Sequence, residues 1–343
     1  MPEVTTPART IIADLAKMVL GGKPLDRDQA MSLASAWPDC PEDLLYWANQ
    51  VRKAVFGRRV RLCSIVAGKL GACSEDCKWC AQSARWKRPA FDNSVSFINP
   101  IRLGSEEIVS KARQALDSCP GRLGIVNSGL KPSPDDIEVL CKAGVGIGRE
   151  YQNKARLCAS LGQLTAEQAH RLVQAGFKRY HHNLETSRRI FSQFVTTHKY
   201  EDRLKTLEIA RRAGLEICSG GLFGLGETWE DRIDLALTLR DQVRPDGVPM
   251  NFLHPIPGTP LQQARPLPPI EILSIIAIFR LIMPASDLLI AGGRVVNLRD
   301  LGSMIFQAGA SSCMIGNYLT TAGRNARDDL QMIDDLGLEV SEY

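Results

Sequence analysis

The sequence predicts an α/β protein: a (β/α)8 TIM-type barrel with an N-terminal helical extension. Three observations predict it. Eight short apolar runs, at 61–66, 122–127, 156–160, 179–184, 216–221, 248–253, 287–292 and 311–316, follow one another along the chain. Amphipathic stretches of helical length separate most of them. Several of these stretches end at glycine, a common C-terminal stop for a helix. Repeated β-then-α units make a parallel sheet, and eight of them close most economically into a barrel.

Residues 9 to 55 read as helices, "TIIADLAKMVL", "LDRDQAMSLASAW" and "PEDLLYWANQVRKAVFG", with Asp26 and Pro41 as start signals for the second and third. We expect residues 1–58 to form a helical segment packed on the barrel, and residues 59–343 to form the barrel with a C-terminal tail. Within the barrel, "TAEQAHRLVQAG" (165–176) and "YEDRLKTLEIARRAG" (200–214) read as crossover helices, and "RPLPPIE" (265–271) as a proline-rich loop that opens another. A chain of 343 residues would ordinarily divide into about two domains, but a barrel fills about 250 residues as one.

Apolar content of 44% and charged content of 23% suit a soluble globular chain. With 42 basic against 38 acidic residues, the net charge of +4 is too small to argue for nucleic acid or an anionic membrane as partner. The start, "MPEVTTPARTIIADLAKMVLGG", is not a signal peptide, because Asp14 and Lys17 interrupt its apolar stretch and no basic segment precedes it. No stretch reaches the roughly 18 uncharged apolar residues of a membrane span. The expected location is the cytoplasm, where thiols stay reduced. Ten cysteines there favour metal binding or catalysis over cross-linking.

Three of them stand close together in "GACSEDCKWCAQSARW": Cys73, Cys77 and Cys80. They fall in the loop after the first strand, at the end of a barrel where active sites form. C-x3-C-x2-C suits a [4Fe–4S] cluster, whose three corners a short loop can wrap while the fourth iron keeps an open position. Zinc competes, but it needs a fourth ligand, and no C-x2-C or H-x3-H partner is near. Three unrelated structural cysteines are the remaining reading.

"CSEDCKWCAQSARW" resembles the signature of radical S-adenosylmethionine (SAM) enzymes, and specifically of the biotin synthase family. Further matches follow in order: "YHHNLETS" (180–187), "CSGGLFGLGET" (218–228), "PMNFLHPIPGTPL" (249–261), "IMPASDLLIAGGR" (282–294) and "GNYLTT" (316–321). The resemblance runs from about residue 60 to 340. It implies a [4Fe–4S] cluster on Cys73, Cys77 and Cys80, SAM bound at the open iron, and a 5′-deoxyadenosyl radical that prepares two carbons of dethiobiotin for sulfur insertion. It also implies an electron donor such as flavodoxin or ferredoxin, and a homodimer. By the same resemblance, Arg203 pairs with the SAM carboxylate, a job suited to a guanidinium fork. Asn183 and Glu185 hold the SAM ribose, and Asn251 binds the ureido ring, where an amide's donor and acceptor complement a urea. Trp79 serves adenine packing or loop packing. The glycines of "GGLFGLGET" admit SAM to the backbone or make a tight turn.

The sequence departs from the family at an auxiliary site. The resemblance implies a second, [2Fe–2S] cluster inside the barrel on three cysteines and an arginine. Two of these thiols are present, Cys158 and Cys218. The third position, on the second strand, is Gly124, and the arginine position on the seventh strand is Leu289. An extra thiol, Cys63, lies on the first strand. Cys63 is either a ligand, with Cys158 and Cys218, of a different auxiliary cluster or a small buried hydrophobe. His181 stands where familiar members have asparagine, and is a substrate contact, a ligand or a packed strand histidine. Cys40, Cys119, Cys141 and Cys313 read as structural. Biotin synthesis is the leading expectation. Another radical SAM enzyme, a maturase or mutase, is the runner-up, and a metal-binding scaffold is the non-enzymatic alternative.

Overall fold

The structure is a computed structural model that describes residues 6–86, 100–118, 121–151, 155–319, 321 and 323–341. All eight apolar runs form strands: β1 (Arg59–Leu70), β2 (Arg122–Asn127), β3 (Arg156–Ser160), β4 (Arg179–His181), β5 (Glu216–Cys218), β6 (Gly247–Phe252), β7 (Asp287–Ile290) and β8 (Ser312–Met314). Each pairs in parallel with its neighbour in the chain. β8 then returns to β1 through Arg61↔Ser312 and Cys63↔Met314. This closes the barrel and leaves none of the eight strands with an unpaired edge.

Four strands, β4, β5, β7 and β8, are shorter than their apolar runs. The run at 216–221 breaks after Cys218 and resumes as Gly221–Phe223, which also pairs with β6. At the break the backbone of Gly220 passes so close to β6 that a Cβ there would lie 1.9 Å from the Pro249 carbonyl oxygen. β4 stops at His181, and the chain turns at Glu185, whose φ is 70°. Two further short strands flank β1: Ile101–Arg102 pairs antiparallel with its end, and Glu339–Val340 runs parallel to its start.

The N-terminal helices are α1 (Thr6–Leu20), α2 (Arg27–Ala36) and α3 (Pro41–Phe56). Asp26 caps α2 in a capping box with Gln29, which satisfies two otherwise orphaned donors. Pro41 occupies the first turn of α3, where its missing N–H costs nothing. Between the strands lie α4 (Ser105–Ser118), α5 (Pro134–Glu150), α6 (Ala166–Gln174), α7 (Arg188–Phe194), α8 (Tyr200–Arg212), α9 (Trp229–Thr238), α10 (Pro269–Ile282) and α11 (Arg294–Leu298), and α12 (Ala326–Asp335) follows β8. α2 lies on α9 and α3 on α10. α10 is apolar on nearly every side, and residues 272–282 are all buried. The reason is that it is sandwiched between the barrel and α3.

Candidate active site

A strand's side chains alternate between faces, so every second residue of the eight strands points into the barrel. The interior is an elongated cavity of about 380 Å³. Its floor is charged: Arg122, Arg179 and Asp287 line it, and Arg61, Arg156 and Glu216 stand partly exposed beside them. Two residues further along the same strands lie Cys63, Gly124, Cys158, His181, Cys218 and Leu289, all lining the cavity. At the mouth are Trp79, Cys80, Asn183, Glu185 and Asn251.

The mouth is built from the loop after β1. Gly71 and Ala72, with φ of 71° and 47°, turn the chain back on itself. Cys73 then pairs with the returning segment, its N–H donating to Gln82 O at 3.0 Å and its carbonyl accepting from Ala84 N–H at 2.8 Å. Two acidic residues pin the loop to the segment just before α8. Asp76 accepts from the N–H groups of Thr196 (2.9 Å) and Thr197 (3.2 Å). Glu75 accepts from the Thr197 hydroxyl (2.6 Å) and pairs with His198 Nδ1 (2.7 Å). Burial raises the Asp76 pKa, but the donors from Thr196 and Thr197 pull it down to about 2. The Trp79 ring stands 6.4 Å from that of Phe194, so Trp79 packs within the loop while also lining the cavity. Burial pushes the Cys80 thiol up to about 11 and raises Cys77 as well.

α8 carries Arg203 to this loop. Its Nη1 donates to the Asn183 carbonyl at 2.7 Å and lies 3.5 Å from Glu185 Oε1. The guanidinium also stacks on Phe191. Its Nε is buried with no hydrogen-bond partner among the described residues. Asn183 Oδ1 accepts from Gly220 N–H at 3.1 Å, and its Nδ2 donates to Glu185 at 3.4 Å. Asn183, Glu185 and Arg203 are thus one polar cluster, close to Cys77. Asn251 already uses both ends of its amide on backbone: Nδ2 donates to Gly221 O (3.1 Å) and Oδ1 accepts from Gly292 N–H (2.9 Å). Only its second N–H and second lone pair remain for a ligand. "FGLGET" is a tight turn: Gly224 and Gly226 have φ of 96° and 95°, and the turn wraps the buried Glu227 carboxylate, which accepts from Gly224 and Leu225 N–H groups.

In mid-barrel, Cys63, Cys158 and Cys218 are all buried and all line the same cavity. Burial raises all three thiols, Cys63 to about 12. His181 Nδ1 lies 3.5 Å from Cys218 Sγ, and burial lowers its pKa to about 4, so the ring is neutral. The strand register explains how Cys63 stands near the position that Gly124 leaves without a thiol. Gly124 sits level with Ile65 on β1 and Cys158 on β3, and Cys63 is two residues before Ile65 on the same inward face. A Cβ at Gly124 would meet the Ile65 side chain at 3.3 Å. Leu289 faces the cavity from β7. Cys40, Cys141 and Cys313 lie away from the cavity lining, and Cys119 falls outside the described residues.

Sequence reasoning missed the charged floor and the Glu75–His198 pair. The floor had a signal: "RLC", "RLG", "RLC", "RYH", "EIC" and "DLL" each place a charge two residues before an inward-facing position. The Glu75–His198 pair had none, because 123 residues separate its members.

The site's donors fit the groups the resemblance implies. Three thiols share one loop at the cavity mouth, and beside them is a buried guanidinium with an unused N–H, suited to a carboxylate. Comparison with known proteins agrees. Residues 70–239 match the radical SAM superfamily, and residues 249–339 match the biotin and thiamin synthesis associated domain. The chain is 42% identical to a biotin synthase of Desulforudis audaxviator, covering 96% of this chain and 97% of that one. It is 46% identical to one of Thermodesulfovibrio yellowstonii, covering 87% and 90%. The fold is shared with methylornithine synthase, at a TM-score of 0.80, 20% identity and coverage of 95% and 97%. It is shared too with HydG, a maturase of the [FeFe]-hydrogenase, at 0.80, 14% identity and coverage of 97% and 76%. With near-full-length identity at this level, the chain belongs to the biotin synthase family.

Proposed function

We propose that this chain forms biotin by radical SAM-dependent insertion of sulfur into dethiobiotin, the last step of biotin biosynthesis, and that one continuous barrel cavity serves the whole reaction. The observation that carries this reading is the stacking of the three-cysteine loop, the Asn183–Glu185–Arg203 cluster and the Cys63–Cys158–Cys218 trio along that cavity. Family membership brings a [4Fe–4S] cluster, SAM and an auxiliary iron–sulfur cluster. Together these supply a 5′-deoxyadenosyl radical able to take hydrogen from unactivated carbons, and a source of sulfur.

The chain's own residues position and shield. Cys73, Cys77 and Cys80 hold the [4Fe–4S] cluster, and the thiols lose their protons when iron binds. Arg203 offers its unused N–H to the SAM carboxylate. Asn183 and Glu185 hold the ribose, and Trp79 packs against the adenine. Asn251, fixed at both ends by backbone, presents its remaining N–H and lone pair to the ureido ring. Because its amide is already oriented, little ordering entropy is lost when substrate binds. Cys63, Cys158 and Cys218 hold the auxiliary cluster, and His181, neutral and against Cys218, stands between that site and the substrate. The reductant is of the flavodoxin or ferredoxin class, the assembly a homodimer and the location cytoplasmic. Among the described residues, no helix is long and apolar enough to cross a membrane.

The test is anaerobic incubation of the iron–sulfur-loaded protein with SAM, a reductant and dethiobiotin. Biotin is the expected product. Cys63→Ala is expected to keep SAM cleavage and lose biotin. Normal 5′-deoxyadenosine production without biotin in the unmutated protein would point to a different substrate. Full activity in Cys63→Ala would remove Cys63 from the ligand set.

A further inference from the structure

The floor of the barrel carries four guanidiniums, Arg61, Arg122, Arg156 and Arg179, against two carboxylates, Glu216 and Asp287. Glu216 is shared three ways, with Arg122 at 3.1 Å, Arg156 at 3.2 Å and Arg179 at 2.9 Å. Asp287 is taken by Arg61 at 3.7 Å and by the hydroxyls of Ser311 (2.8 Å) and Ser312. Arg122 and Arg179 are among the buried residues, at 2% and 5% exposure. A buried guanidinium is costly unless anions face it, and here the positive charges outnumber the negative ones. What faces the floor on the cavity side is the thiol trio.

We propose that Arg179, reaching in from β4, is the guanidinium of the auxiliary site, a positioning residue that donates to the Cys218 sulfur and sets the cluster's reduction potential in place of the arginine that β7 lacks. The proposal rests on the three-thiol auxiliary site put forward above. Its geometry comes from Gly247 on β6. A Cβ built there would lie 2.7 Å from Arg179 Nη1 and 3.8 Å from Cys218 Sγ, so the guanidinium and the sulfur share the space that a glycine leaves open. Cys218 is level with Gly247 and Cys158 with Arg179 in the strand register, which sets Arg179 between two of the three sulfurs. Glu216 holds the guanidinium from below, accepting from Arg179 Nε at 3.0 Å. Thiolates on iron outweigh the positive charge of an oxidised cluster core, so the loaded site is anionic and matches the floor's excess. Leu289, on β7, can offer neither charge nor a hydrogen bond. Charge and N–H···S bonds around a cluster favour its reduced form, so removing them disfavours reduction.

The experiment is an EPR-monitored redox titration of the iron–sulfur-loaded enzyme, with the auxiliary signal identified as the one that added SAM does not move. In Arg179→Met that signal is expected to titrate at a more negative potential or to vanish with the auxiliary iron, and in Arg179→Lys the shift should be smaller. The SAM-cluster signal should stay as in the unmutated protein. An auxiliary cluster retained at its original potential in Arg179→Met overturns the proposal. Should that variant fail to fold, Arg179→Gln, which keeps a donor but not the charge, decides on the same criterion. The underlying reading fails separately: replacing Cys63, Cys158 and Cys218 together by Ala would then leave the iron content and both signals unchanged.

Discussion

Arg203 and Glu185 show how much of this site depends on single side chains. Glu185 sits at φ 70°, a conformation costly for a non-glycine residue and held only where surroundings enforce it. Here Leu222 N–H bonds to its carbonyl at 2.6 Å and its own N–H to Gly220 O at 3.2 Å. That strain aims the carboxylate at Arg203. Lysine at 203 would keep the charge and lose the fork that holds the Asn183 carbonyl and that we propose also takes the SAM carboxylate. A hydrogen bond to a charged group contributes about 1.5–3 kcal/mol. Arg203→Lys should therefore weaken SAM binding roughly tenfold to a hundredfold, read by the SAM-induced change in the cluster's EPR spectrum. Unchanged affinity would remove Arg203 from the SAM site. Two glycines make an opposed pair. Gly220→Ala puts a methyl on the Pro249 carbonyl and should abolish the folded protein, whereas at Gly124 the methyl meets the Ile65 Cγ2 at 3.3 Å and the Ser64 carbonyl oxygen at 3.7 Å, contacts that a small shift can relieve. Gly124→Ala should melt within a few degrees of the parent, since mild overpacking costs about 1–3 kcal/mol.

At the scale of elements, the cluster loop is only as stable as its attachment to residues 196–198. Asp76 has a folded pKa of about 2, below the ordinary value of about 4. A carboxyl depressed on folding stabilises above its unfolded pKa, and that stabilisation is lost as pH falls through the folded value. The melting-temperature difference between the parent and Asp76→Asn should therefore be largest near neutral pH and shrink between about pH 4 and 2. A constant difference would show that the carboxylate's charge plays no part. The N-terminal helices have a comparable role for α10. Removing residues 1–57 uncovers a helix whose residues 272–282 are all buried. An exposed apolar face of that size drives aggregation, so the truncated chain should be insoluble or bind a hydrophobic dye strongly. A soluble, dye-silent truncation would contradict this packing role.

Over the whole molecule, the barrel was readable because each strand is a short apolar run bounded by helical stretches, and every run became a strand. The ends of β4 and β5 were not readable: Gly220 against Pro249 and the turn at Glu185 are tertiary approaches with no local cue. The place of the cysteine loop, directly after β1, was legible from the apolar run that precedes it, whereas its spacing alone left iron–sulfur, zinc and structural readings open. The Glu75–His198 clamp was invisible at a separation of 123 residues. The charged floor lay between these extremes, with its i, i+2 pattern present in six strands yet meaningful only once closure brings the strands round one axis. Closure yields a gradient from a polar mouth through thiols to a cationic floor, and the proposed sulfur store is the thiol layer at its middle. A single-turnover experiment tests this most directly: protein rebuilt anaerobically with heavy-isotope sulfide is given SAM, reductant and dethiobiotin, and the product is weighed by mass spectrometry. The account predicts biotin carrying the heavy sulfur from the parent and none from Cys63→Ala, which should still release 5′-deoxyadenosine. Unlabelled biotin from the parent, or labelled biotin from the variant, would contradict it.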